Sequence, residues 1–253
     1  MLKPLFSTLL YILIGGFILC PSIQAAPNKF SVDANQYQEF WLWGRIPSAP
    51  YLSRATSLYV LQGEIQANSR NQRSVFIQQG VPVLSIPEQK VWLVFRNHHL
   101  NWQGDELTKI LQRVKQWEHA GNQIIGIQID FDARTKNLHD YALFLQRLRT
   151  QLPKQYQLST TSLMDWTNLK DKNTLRLFRE NINELVIQTY QGSRTIPQYQ
   201  AYLSKISALQ LPYKIGLVQY GEWNPNLNFS SDPNFKGFIV FLLRAPPSQA
   251  LGK

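Results

Sequence analysis

The chain has 253 residues, 44% of them hydrophobic and 12% aromatic, with 26 lysines and arginines against 16 acidic residues for a formal charge of +10. That length supports one full hydrophobic core within single-domain size, and a single cysteine, Cys20, excludes an intramolecular disulfide framework. The basic residues are dispersed, as in Lys109, Arg113 and Lys115, which argues against a nucleic-acid groove but allows weak attraction to anionic envelope polymers.

Residues 1–25 read as a cleavable export signal. Lys3 supplies the positive start, Leu5 to Cys20 carries no charge, Pro21 breaks the run, and Ser22-Ile23-Gln24-Ala25 offers a cut before Ala26. The apolar run is shorter than the roughly 20 residues of a spanning helix, so no membrane span is expected after cleavage. Residues 26–245 are expected to form one domain, and 246–253, opening on Pro246-Pro247, a frayed tail.

In chain order, short apolar runs predict strands at 40–46, 58–62, 91–95, 124–132, 158–163, 185–190, 214–220 and 238–243. The stretch 66–90 reads as a loop or hairpin around 74–83. A helix is predicted from Asp105 to Gly121, with Leu107, Ile110, Leu111, Val114 and Trp117 on one face. A second runs from Asn137 to before Pro153, a third covers 171–179, and a fourth starts near Pro197 with Tyr202, Ile206 and Leu209 inward. Strands alternating with helices imply a parallel sheet. The expected fold is α/β, a (β/α)8 TIM-type barrel degenerate in its first half. The competing open doubly wound sheet is weakened because no glycine-rich phosphate loop follows any strand.

The most informative segment is Gly126-Ile127-Gln128-Ile129-Asp130-Phe131-Asp132. Alternation places Gly126, Gln128, Asp130 and Asp132 on one face and the apolar residues on the other. The apolar face must meet the helices, so the carboxylates point into the barrel mouth, where barrel enzymes keep their sites. Asp165 and Trp166 follow the fifth strand, Glu222 and Trp223 the seventh, and Arg96 ends the third. Tryptophans beside carboxylates suit sugar rings. His98-His99 is adjacent rather than spaced like helix-face ligands, so no metal and no cofactor are expected.

These segments resemble those of glycoside hydrolase family 18, the chitinase-like barrels. Aligned through Gly126, that family's third aspartate falls on Asp130 and its catalytic glutamate on Asp132, while Ile125 and Gln128 stand where it has its first two aspartates. Gln188-Thr189-Tyr190-Gln191 resembles its sixth-strand motif, with Tyr190 kept and Gln191 replacing an aspartate. Gly216 to Gly221, including Tyr220, resembles its seventh-strand motif, and Gly237 to Phe241 the eighth, with Phe241 for tryptophan.

A second, more extensive resemblance is to a family of exported bacterial proteins carrying a domain of unknown function. It rests on Gln128 to Ala133, Leu158 to Leu163 with Asp165-Trp166, Gln188 to Gly192 and Val240 to Leu243, and it spans about 40–243. Together the resemblances imply Asp130, Asp132 and Tyr190 as catalytic and Gln128, Gln188, Gln191, Tyr220 and Phe241 as substrate-binding, and the positions of Asp165, Trp166, Glu222 and Trp223 after strand ends add these four as substrate-binding. They imply an exported, periplasmic or secreted, monomeric bacterial protein acting on a polysaccharide or envelope glycan. The alternatives are a glycan-binding barrel without catalysis and an envelope assembly partner without a sugar site. N-terminal sequencing of exported protein is expected to start near Ala26; an intact Met1 in a membrane fraction would overturn the signal reading.

Overall fold

The computed structural model describes residues 30–45, 49–68 and 73–244. The export signal and the tail expected at 246–253 lie outside the described residues. Strand β1 (Glu39–Leu42) leads through a one-turn helix α1 (Pro50–Ser53) to β2 (Ser57–Ala67), which turns back as β3 (Ser74–Gln78). Then follow β4 (Lys90–Asn97), α2 (Glu106–His119), β5 (Gln123–Asp130), α3 (Leu138–Gln151), β6 (Gln157–Ser162) and α4 (Lys172–Asn181). The chain continues through β7 (Glu184–Gln188), a hairpin of β8 (Tyr190–Gln191) and β9 (Arg194–Thr195), α5 (Tyr199–Leu203), β10 (Tyr213–Val218) and β11 (Phe235–Phe241).

Eight of these strands run parallel in the order β1-β2-β4-β5-β6-β7-β10-β11, and β1 pairs with both β2 and β11, which closes the barrel. The expected TIM-type barrel is the fold observed. The hairpin expected around 74–83 is β3, which pairs antiparallel with the outer half of β2 from Gly63↔Gln78 to Ala67↔Ser74.

Degeneracy is not confined to the first half, as the sequence suggested. The fourth helix breaks into α5 and a 3-10 turn, Ile206–Leu209, and left-handed backbone at Gln198 (φ 60°) and Gln210 (φ 50°) bounds the pair at its two ends. The connection from β10 to β11 contains no α-helix. There the side chains of Asn224, Asn228 and Asp232 accept hydrogen bonds from backbone amides two residues on, which satisfies the backbone in turns instead.

Two apolar layers follow from strand alternation. Residues such as Phe40, Val60, Leu93, Ile127 and Ile215 pack outward against Ile110, Val114 and Trp117 of α2, Tyr141 and Leu145 of α3 and Phe178 of α4. Trp41, Tyr59, Leu61, Trp92, Val94, Val186 and Ile239 fill the lumen, with Tyr59 and Trp92 stacked at 5.5 Å. Three register shifts interrupt simple alternation, in the β2–β4, β10–β11 and β4–β5 pairs. The β4–β5 register jumps from Val91↔Ile124 to Trp92↔Gly126, and the extra residue, Ile125, packs on the lumen cluster. Gly126 is required there, since a Cβ would stand 2.1 Å from the Gln157 carbonyl oxygen.

The floor of the barrel is ionic. Lys214 reaches Glu184 at 3.0 Å, Glu39, and the Tyr59 hydroxyl at 2.9 Å. Burial works to discharge this ammonium, but the two carboxylates outweigh it and hold its pKa above the ordinary lysine value. No helix among the described residues is long and apolar enough to cross a membrane. Lys214→Met is expected to lower stability by about 3–5 kcal/mol, because it strands two carboxylates in the lumen. Urea denaturation checks this, and the deficit should shrink in acid as Glu39, whose carboxyl burial already holds above its ordinary value, protonates.

Candidate active site

β5 carries polar side chains on its inner face, and each inner group is held differently. Deep in the lumen, Gln128 accepts from the Trp41 indole at 2.7 Å and donates to Ser159 at 2.9 Å. Two residues on, Asp130 accepts from Thr161 Oγ1 at 2.7 Å, while Arg96 Nε stands 3.9 Å from its other oxygen. Two further on, past the end of the strand, Asp132 is exposed. The alternation of Ser159 and Thr161 on β6 supplies the matching partners, and Thr160 between them turns outward to the Tyr141 hydroxyl.

Asp130 and Asp132 open into a cleft of about 430 Å³ at the C-terminal mouth, together with Trp43, Arg96, Leu163, Gln188, Tyr190, Gln191, Gly192, Ile196 and Phe241. Opposite the carboxylates stands an aromatic wall. Tyr190 stacks on Phe241 at 5.5 Å, and Trp43 meets Phe241 edge-on at 5.3 Å. Trp41 supports Tyr190 from below.

Burial pushes the Asp130 carboxyl up to about 6. The Thr161 hydrogen bond works against this, the Asp132 charge adds to it, and Arg96 opposes it. Burial, then the Asp130 charge, also raises the Tyr190 phenol well above its ordinary value, and its hydrogen bond with Gln188 opposes them. Tyr190 therefore stays a hydrogen-bond donor at neutral pH.

The cleft brings together seven residues singled out in the sequence: Arg96, Asp130, Asp132, Tyr190, Gln188, Gln191 and Phe241. The others lie elsewhere. Gln128 is sealed beneath the cleft. Asp165 accepts from the Thr135 amide and hydroxyl, and Trp166, 1% exposed, donates to the Ala133 carbonyl at 2.8 Å. This pair clamps the loop after Asp132 and has no face for a sugar, which corrects the expected binding role of Trp166.

Trp223 is buried against Tyr199 at 5.3 Å, so its ring is likewise closed to the cleft. Glu222 borders a separate cavity of about 250 Å³ with Phe30, Tyr199 and Asn224. Tyr220, at φ 65°, follows the end of β10, where its amide pairs with the Val32 carbonyl. Its exposed ring lies outside the cleft, so the expected meeting of Tyr220 with Asp130, Asp132 and Tyr190 does not occur.

The sequence reading missed Trp43 and Thr161 as parts of the site. Both were accessible from period-two alternation, Trp43 from Trp41 and Thr161 from Ser159. Leu163 continues the same alternation from Thr161, whereas Gly192 and Ile196 carry no such signal.

Residues 102–223 match the family model described as a domain of unknown function, DUF3142, a narrower span than the 40–243 of the sequence resemblance. No curated protein matches the chain. Among solved structures, the spore cortex-lytic enzyme SleL of Bacillus cereus aligns with a TM-score of 0.46 and 15% identity, over 71% of this chain and 50% of that one. This chain thus spans about half the length of that enzyme.

Asp130 gives the site a pH signature. Its folded-state pKa of about 6 lies above the unfolded value of about 3.9. Its contribution to stability is therefore full below about pH 4 and is lost as pH rises through the folded pKa. Relative to Asp130→Asn, the wild type is expected to lose about 2 kcal/mol between about pH 4 and pH 7. Urea denaturation at both ends checks it, and parallel pH profiles would mean that Asp130 titrates as in water.

Proposed function

We propose that the protein hydrolyses glycosidic bonds of an acetamido-sugar glycan at this mouth. The observation that carries the reading is a carboxylate pair, Asp130 and Asp132, sharing one cleft with the wall of Trp43, Tyr190 and Phe241. An aromatic wall accepts the apolar faces of sugar rings, while Gln188 and Gln191 offer amides to hydroxyl and acetamido groups.

In this reading Asp132 is the general acid and base. Its carboxyl gives a proton to the glycosidic oxygen as the C1–O bond breaks, and the substrate's acetamido oxygen bonds to C1. Water, losing a proton to the Asp132 carboxylate, then opens that ring and releases the sugar. Asp130 orients the acetamido group, and the Tyr190 hydroxyl donates to its oxygen.

The distribution of carboxylates favours this scheme over a covalent one. Two-carboxylate glycosidases flank the bond from both sides, whereas both carboxylates of this cleft come from one strand end, and Glu222 borders another cavity.

The same distribution gives a second reading, glycan binding without turnover. An aspartate at 132 is one methylene shorter than a glutamate, and a misplacement near 1 Å can cost about a hundredfold. The test compares Asp132→Asn with Glu222→Gln on soluble acetamido-sugar polymers, with folding checked by circular dichroism. Asp132→Asn is expected to lower kcat/KM by about 10²–10⁴-fold, and Glu222→Gln to stay within about twofold. Loss only in Glu222→Gln would assign a covalent mechanism. Binding with no hydrolysis by the wild type would assign the second reading.

A further inference from the structure

Arg96 ends β4 on the lumen side and is underused by the protein. Its guanidinium lies over the Trp43 ring at 5.4 Å, and its only polar contact among the described residues is Nε to Asp130 Oδ2 at 3.9 Å, beyond hydrogen-bond length. Among the described residues it donates no hydrogen bond. Neutralising Asp130 does not account for it. The side chain is 38% exposed, and burial of Asp130 outweighs Arg96's pull on the carboxyl. What remains is a planar fork of donors beside an indole, lining the mouth. That geometry matches a carboxylate.

Arg96 also borders two spaces. One is the cleft already described. The other is a side notch of about 170 Å³ formed with Asn97, His98, Asp130, Phe131 and Asp132. Because Asp130 and Asp132 belong to both linings, a glycan crossing Asp132 lays one unit against Tyr190 and Phe241 and the next in the notch. The two sides differ chemically. The cleft offers aromatic faces and amides, which suit a neutral ring. The notch offers a guanidinium and an imidazole beside the aspartate pair, so an anionic unit there depends on Arg96 to offset like-charge repulsion. The excess of basic residues over the whole chain favours the approach of an anionic polymer.

We propose that Arg96 is a specificity-determining residue that grips the carboxylate of an acidic sugar unit seated in this notch, next to an acetamido unit in the cleft. The inference rests on the glycan reading above and names the substrate class within it. The carboxylate can belong to a uronate ring or to an ether-linked lactyl group, which present the same fork to Arg96.

The test is calorimetric binding with two pairs of soluble oligosaccharides. One pair alternates acetamido sugar with its lactyl ether and the other alternates acetamido sugar with uronate. Each is used as the acid and as its carboxyl-reduced alcohol. At least one acid form is expected to bind about 10- to 100-fold tighter than its alcohol, and the pair that does so identifies the source of the carboxylate. Arg96→Gln should bring that ratio towards one, and Arg96→Lys should keep part of it, with circular dichroism confirming both folds. Equal binding of acid and alcohol by the wild type, or a preference that survives Arg96→Gln, would overturn the role of Arg96 and leave the glycan reading standing. No binding to any of these oligosaccharides, or to a neutral acetamido oligosaccharide, would overturn both.

Discussion

Gln128 and Asp130 sit two residues apart on the inner face of one strand, and the barrel has to satisfy both. A closed eight-stranded lumen is filled by side chains rather than water. A polar group placed there needs a fixed partner or an opening. The amide of Gln128 has two fixed partners, an indole donor on β1 and a hydroxyl acceptor on β6. Asp130, one layer higher, has a single strong partner in Thr161 and depends on the mouth for the rest. Much of the arrangement of the inner faces of β1, β4, β6 and β7 follows from these two residues.

The lumen is consequently layered. At the floor, Lys214, Glu39, Glu184 and Tyr59 close an ionic network, and Ser159 links Glu184 to Gln128 and thence to Trp41. The middle layer is neutral and aromatic. Only the top layer exposes unmatched polarity: a carboxyl raised by burial, an exposed aspartate, and an arginine with unused donors. Buried networks of this kind are costly when one member is missing, so the lower layers hold the upper one in place. The clamp of Asp165 and Trp166 on residues 133 and 135 does the same from outside, fixing the segment that follows Asp132.

Openness at the mouth has its own structural cause. The short hairpin of β8 and β9 projects Tyr190, Gln191 and Gly192 over one side of the cleft, and the β10–β11 connection forgoes a helix in favour of Asx turns. Glu222, carried on that connection, is thereby drawn toward Ser31 and Phe30 and away from Asp132. The separation leaves both carboxylates of the cleft on one strand end, which is what distinguishes the scheme proposed here from one with carboxylates on both sides of the bond.

Local pattern alone determined much of this protein. The eight strands, the helices α2, α3 and α4, and the inward turn of Gln128, Asp130 and Asp132 all follow from periodicity, because apolar spacing records which face is buried. Motif wording also singled out Tyr190, Gln188, Gln191 and Phe241, which line the cleft. Tertiary structure decided the rest. Trp166 and Trp223 resemble sugar platforms in sequence, yet packing against Phe178 and Tyr199 keeps both rings out of the cleft. The bulge that turns Ile125 inward arises from the approach of β6 to Gly126, and the pairing of residues 30–32 with 220–223 sets Tyr220 and Glu222 apart from the site. Each of these depends on contacts between residues distant in the chain, and a sequence records the period of a face but not the neighbour that will cover it.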